Sequence, residues 1–171
     1  MATILGANTL SSGFNADTSL LLTDASDNYL NRTHGSSPTS QRKMTLSFWI
    51  KKLASKISKC TQSDGMMILG GQQDSYPGFV CFFNHSTDTF IFRDAQAANN
   101  VKIDVRTDAK FRDPAAWNHF CVAVDTTDGT AANRVKFFIN GTQTLLLNGV
   151  GASGGGSESP LYPDQNYDTR F

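Results

Sequence analysis

The segment DPAAWNHFCVAVDTT, residues 113–127, gathers the residue types that most often do chemistry. His119 and Cys121 are two apart, with Trp117 before them and Asp125 after. Residues i and i+2 of an extended strand share a face, so an imidazole and a thiol would stand side by side. Two chemistries follow. A thiol beside an imidazole is a nucleophile with its base, and the same side chains are half of a zinc site. The nucleophilic reading also needs a group to orient the base and donors for an oxyanion. No glycine-rich loop or obvious third group accompanies the pair. The zinc reading needs four ligands, usually supplied by close pairs such as Cys-x₂-Cys or His-x₃-His. Cys60 and Cys81 offer no such spacing, and His34 falls in a distant polar loop. His119, Cys121 and Asp125 are therefore expected to be framework residues of a strand, with no catalytic and no metal-binding role.

Other polar clusters are weaker signals. KKLASKISKC, residues 51–60, carries four lysines without interleaved aromatics or arginines, the pattern of a solvated loop rather than a phosphate contact. GASGGGS, residues 151–157, has no following Lys-Ser/Thr and no flanking helix, so it reads as a flexible connection and not a phosphate loop. Tyr29, Tyr76, Tyr162 and Tyr167 lie near expected loops, where a tyrosine suits a sugar face or a subunit contact equally.

The elements that would position these groups are strands. The chain has 171 residues, the size of one domain with a sizeable core. Glu158 is its only glutamate, so Asp supplies 14 of the 15 acidic residues, and Phe occurs 12 times. Asp favours turns where Glu favours helices, and a chain rich in Phe, Thr, Asn and Gly reads as all-β. The formal net charge is zero, which leaves no general electrostatic footprint for nucleic acid or an anionic membrane. No run approaches the roughly 20 apolar residues that span a bilayer. Three cysteines without paired spacing fit free thiols and a reducing compartment, and the N-terminus has neither the charge nor the apolar run of a signal peptide.

Along the chain, MTLSFWIKK places Leu46, Phe48 and Ile50 on one face and Thr45, Ser47, Trp49 and Lys51 on the other. MMILGG reads as a buried strand closed by glycines. GFVCFFNHS and DTFIFRDAQ read as a hairpin around residues 85–88, and VKIDVRTDA puts Val101, Ile103 and Val105 on one face. In the 113–127 segment Phe120, Val122 and Val124 oppose Trp117, His119, Cys121 and Ala123, which suits a mid-sheet strand of a two-layer structure. RVKFFINGTQ points Val135, Phe137 and Ile139 inward and Arg134, Lys136 and Asn140 outward. Its Asn140-Gly141 is a strong hairpin signal, because a type I′ turn needs positive φ at both central residues. The resulting expectation is an antiparallel two-sheet sandwich of the jelly-roll kind. Its domain organisation is an N-terminal arm or first strand at 1–14, the sandwich at 15–148, and a Gly/Ser/Pro-rich loop or tail at 149–171.

LSFWIKK, MMILGG and DPAAWNHFCVAVDTTDGTAANRVKFFINGTQ together resemble the laminin-G-like, concanavalin A-type jelly roll, more narrowly the versions in structural proteins of marine bacteriophages. The resemblance covers residues 19–148. It implies a sandwich that lacks its C-terminal closing strands here, with a longer chain or a neighbour completing the sheet. It also makes Trp117 and His119 framework residues. The fold it names hosts glycoside hydrolases, which need two carboxyl groups at a set separation. Glu158 stands alone, and the substitutes Asp104/Asp108 and Asp125/Asp128 include a turn aspartate, so no enzymatic activity is expected. Laminin-G-like domains often hold calcium, and residues 23–28 and 125–129 are oxygen-rich loops, though neither spacing matches the EF-hand loop. A structural calcium stays open; no other cofactor is expected.

The function these readings imply is a non-enzymatic virion component, assembled in the bacterial cytoplasm and displayed as a tail fibre or other particle-surface protein. Expected partners are other virion proteins, copies of itself and a host surface glycan, with no nucleic acid and no membrane insertion. A head decoration protein with no glycan ligand is the alternative, and a polysaccharide-degrading hydrolase comes third.

Overall fold

Two antiparallel sheets form because alternating strands each have one apolar face to bury. The computed structural model describes residues 30, 38–52, 65–73, 76–84, 87–97, 100–148 and 160–169. The chain divides into two compact units, Met1–Arg32 and Thr33–Phe171, and every strand named here belongs to the second. The expected arm at 1–14, the loop at 23–28, the glycine-serine tract, Tyr29, His34, Cys60 and Glu158 lie outside the described residues.

The first sheet has the order β1 (Lys43–Lys51), β6 (Trp117–Asp125), β7 (Val135–Ile139) and β8 (Thr142–Gln143). The second has the order β2 (Gly65–Gln73), β3 (Tyr76–Asn84), β4 (Phe90–Ala97), β5 (Asn100–Thr107) and β9 (Leu146–Asn148). The helical content among the described residues is one 3₁₀ turn, Ala131–Asn133. This is the all-β sandwich that the alternation predicts.

Register explains the core. Across β1 and β6, Phe48 stands opposite Phe120, Leu46 opposite Val122 and Met44 opposite Val124. These inner-face residues meet Phe79, Phe83, Phe90 and Phe92 from the other sheet in one buried cluster. Phe120 sits at its centre, with ring centroids 4.7 Å from Phe90, 4.9 Å from Phe111 and 5.6 Å from Phe83. Each such ring contributes about 1.5–3 kcal/mol on burial. Val80, Phe82 and Ile91 form a second buried cluster on the opposite face of β3 and β4. Cys81 is buried and free, and burial pushes its thiol pKa up, which makes it an inert apolar residue.

The hairpins fall where the turn residues demand them. Asn140 (φ 51°) and Gly141 (φ 83°) form the two-residue connection between β7 and β8, with Ile139 opposite Thr142. The β3–β4 hairpin also forms, and Asp88 within its connection has φ 58°. Asn84 stabilises that turn: its Oδ1 accepts from the Thr87 amide at 3.1 Å.

Three sequence expectations need correction. MMILGG is not a buried strand: β2 is an edge strand among the described residues, and Met67 and Leu69 are exposed. Arg134 does not point outward but is 9% exposed. Its guanidinium donates to the carbonyls of Asp128 (2.9 Å), Gly129 (3.2 Å) and Pro163 (2.7 Å). Lys52 is not part of a solvated loop: it donates to Asp88 Oδ1 at 3.0 Å and to the Phe111 carbonyl at 3.2 Å. Arg112 Nε reaches the other oxygen of Asp88 at 3.1 Å. The Lys52 hydrogen bond leads in holding the Asp88 pKa below the usual carboxylate value.

No strand follows β9 among the described residues. Residues 160–169 instead run as an irregular segment fastened at both ends. Leu161 bridges Asp104 of β5 through both backbone bonds. Further on, the Asn166 amide donates to the Thr126 carbonyl at 2.8 Å, the Thr126 hydroxyl donates to the Tyr167 carbonyl at 2.7 Å, and the Thr169 amide donates to the Gln41 carbonyl at 2.8 Å. The segment thus ties the second sheet to the residues just before β1.

Candidate functional site: the outer face of the four-stranded sheet

The same register that buries Phe48 against Phe120 turns the alternate residues outward. Lys51 stands opposite Trp117, Trp49 opposite His119, Ser47 opposite Cys121, Thr45 opposite Ala123 and Lys43 opposite Asp125. β7 adds Phe138 beside Cys121 and Lys136 beside Ala123. One end of this face is aromatic: Trp49 is 48% exposed and Trp117 is 49% exposed. An exposed tryptophan pair on one sheet face forgoes burial that the core would reward, which makes it the most informative apolar surface described.

His119 is held within that face. Its ring lies 5.1 Å from the Trp49 ring, its Nε2 is 2.9 Å from Ser47 Oγ, and its backbone amide donates to Asn140 Oδ1 at 2.9 Å. Asn140 Nδ2 in turn donates to Asn118 Oδ1 at 3.2 Å. The partner of the imidazole is therefore a serine and not Cys121. Ser47 lies 72 residues away in sequence and stood in no catalytic motif, so only strand pairing could reveal it. A serine beside an imidazole is also a nucleophile–base geometry. The His119 amide, however, is spent on Asn140, and β6 is paired on both sides, with β1 and β7, so its backbone donors face its neighbours and not the surface. Cys121 is free and partly buried beside Phe138.

The other end of the face is a groove of about 280 Å³ floored by Thr45 and Ala123 and edged by Lys43, Asp125, Asp128, Asn133 and Lys136. Its carboxylates have structural duties. Asp125 accepts from the Thr127 hydroxyl at 2.5 Å and the Thr127 amide at 3.0 Å, and it pairs with Lys43 at 2.9 Å. The Thr127 bond leads, ahead of Lys43, in lowering the Asp125 pKa. Asp128 Oδ1 accepts from the Thr130 amide at 2.7 Å. The oxygen-rich loop at 125–129 is thus a turn capped by its own aspartates, and no group of three or more metal-ligating side chains occurs among the described residues. Asp104 is fully buried and paired with Arg93 at 3.0 Å, whereas Asp108 is exposed, so these two do not form a facing carboxyl pair.

Two of the four tyrosines suited to a sugar face or a subunit contact are placed elsewhere. Tyr162 packs against the core, and burial raises its pKa. Tyr167 donates its hydroxyl to Asp94 at 3.3 Å. Both anchor the C-terminal segment. The side chains of Tyr29 and Tyr76 lie outside the described residues.

A two-sheet jelly roll offering a tryptophan-bearing sheet face belongs to the class of lectin-type β-sandwiches. The chain is a member of the concanavalin A-like lectin/glucanases superfamily, whose laminin-G-type family model matches residues 24–169. The match extends beyond the strands into the irregular segment at 160–169. No curated protein and no solved structure matches the chain.

Proposed function

We propose that this protein is a non-enzymatic component of a bacteriophage particle surface, a tail-fibre component foremost, whose sandwich adheres to a host surface glycan. The observation that carries the adhesive reading is the half-exposed Trp49 and Trp117 on one sheet face, beside a histidine fixed by Ser47 and Asn140. The engagement of Asp104, Asp125 and Asp128 in ion pairs and turns supports binding without hydrolysis. The phage setting rests on the resemblance of LSFWIKK, MMILGG and residues 113–143 to virion sandwich domains, and assembly in the bacterial cytoplasm is proposed with it. A flat site with millimolar affinity contributes only about −4 kcal/mol. A homo-oligomer repeating that site raises avidity by roughly 10² to 10⁴, so adhesion at the particle surface is multivalent.

Immunogold labelling of candidate phage particles tests this reading. Label on the tail or its fibres is the expected result. Label over the head would replace it with the decoration role, and intact particles without label would remove the virion assignment.

A further inference from the structure

The face described above has a chemical polarity along its length. From Thr45 to Trp49 it runs four strand residues, roughly 13 Å. At the groove end two lysines, Lys43 and Lys136, stand among two aspartates, Asp125 and Asp128. Charges there balance. At the aromatic end Lys51 is exposed directly opposite Trp117, and it has no ion-pair partner among the described residues. The nearest acidic residue in the chain before β6, Asp113, uses Oδ1 to cap the Ala115 amide at 2.8 Å. Among the described residues, the aromatic end therefore presents two indoles, an imidazole and one ammonium without an ion-pair partner.

We propose that this face binds an acidic glycan, a chain of pyranose rings bearing carboxylates, laid along β1 and β6 with rings on Trp49 and Trp117 and a carboxylate at Lys51. The proposal rests on the adhesion reading and names its ligand class. A pyranose presents a flat patch of C–H bonds that packs on the electron-rich face of an indole. Its hydroxyls suit the Ser47, Thr45 and Asn133 groups spaced along the face. Lys51 supplies an ammonium that pairs more strongly with a carboxylate than with the hydroxyl of a neutral sugar. Single-stranded nucleic acid would also stack on tryptophan, but it requires a positive groove that follows its backbone. Here the groove end is balanced by Asp125 and Asp128, and the whole chain has a net charge of zero.

The test is titration of the full 171-residue chain, followed by tryptophan fluorescence and calorimetry. The probes are a hexuronic acid oligosaccharide, the neutral hexose oligosaccharide of the same linkage and length, and a single-stranded oligonucleotide. The acidic oligomer is expected to bind about tenfold more tightly than the neutral one, as one hydrogen bond to a charged group implies. Lys51→Gln should abolish that preference, weakening the acidic oligomer more than the neutral one. Trp49→Ala and Trp117→Ala should each weaken binding of both sugars roughly tenfold, with an unchanged urea midpoint showing that the fold persists. Equal affinity for the two sugars, retention of the preference in Lys51→Gln, or tighter binding to the oligonucleotide would each overturn the proposal. Labelled particles whose chain binds the two sugars equally would sink this inference alone, and a chain that binds neither sugar would sink the adhesive reading with it. Sugar binding by a chain absent from every particle would sink the virion reading alone.

Discussion

Replacing Arg134 by alanine should cost far more than a residue in a charged-looking turn would suggest. The guanidinium makes three hydrogen bonds to carbonyls of two segments, the 128–129 turn and Pro163. The bond to Pro163 is buried, and a hydrogen bond from a charged donor to such a group is worth about 1.5–3 kcal/mol. The bonds to Asp128 and Gly129 are only partly buried, so water recovers part of their value and each contributes about 0.5–1 kcal/mol. Loss of the packed stem adds to this total, giving a destabilisation of about 3–5 kcal/mol. For a domain of this size that is a fall in Tm on the order of 10 °C. Equilibrium urea unfolding reads the energy, and hydrogen exchange reads its location. The amides of Asn166 and Thr169, which bond Thr126 and Gln41, should exchange faster in the variant. Arg42→Ala is the control, because its pair with Asp168 is solvent-exposed and screened by water, so its loss should cost little. A cost below about 1 kcal/mol for Arg134→Ala, or a large cost without faster exchange at 166 and 169, would refute the clamp.

Asn140→Ala should destabilise by about 2 kcal/mol, since alanine at positive φ costs roughly 1–2 kcal/mol and the bond to the His119 amide is lost. Asn140→Gly should cost less, and an alanine variant as stable as the glycine one in urea would contradict the role of φ. Acid should weaken the fold through Asp88 and Asp125, whose folded pKa values lie below the ordinary one. The folded state then binds fewer protons than the unfolded chain, so their stabilisation is complete above the unfolded pKa of about 4 and is lost as pH falls through the folded values. Unfolding midpoints measured between roughly pH 3 and 6 should fall with pH, and Asp88→Asn should flatten the slope. A slope unchanged by that substitution would exclude the Lys52–Asp88–Arg112 cluster as its source.

The sequence by itself determined the strands, their inward faces and the Asn140-Gly141 turn. Alternation and positive φ are local properties: a few neighbouring residues decide which side of a strand is apolar and where the chain must reverse. The place of His119 in a strand was legible for the same reason, because its neighbours alternate. Tertiary structure alone decided what each outward face meets. MMILGG has the composition of a core strand, yet it lies at a sheet edge among the described residues, and composition carries no information on sheet order. Arg134 alternates as an outward residue, yet residues 160–169 fold back over it and turn its charge into a clamp. Ser47 meets His119, and Lys51 meets Trp117, only through the pairing of β1 with β6. That pairing is chosen by the fit of Phe48 and Phe120 on the opposite face, so the hydrophobic core, made for stability, also assembled the surface proposed to bind.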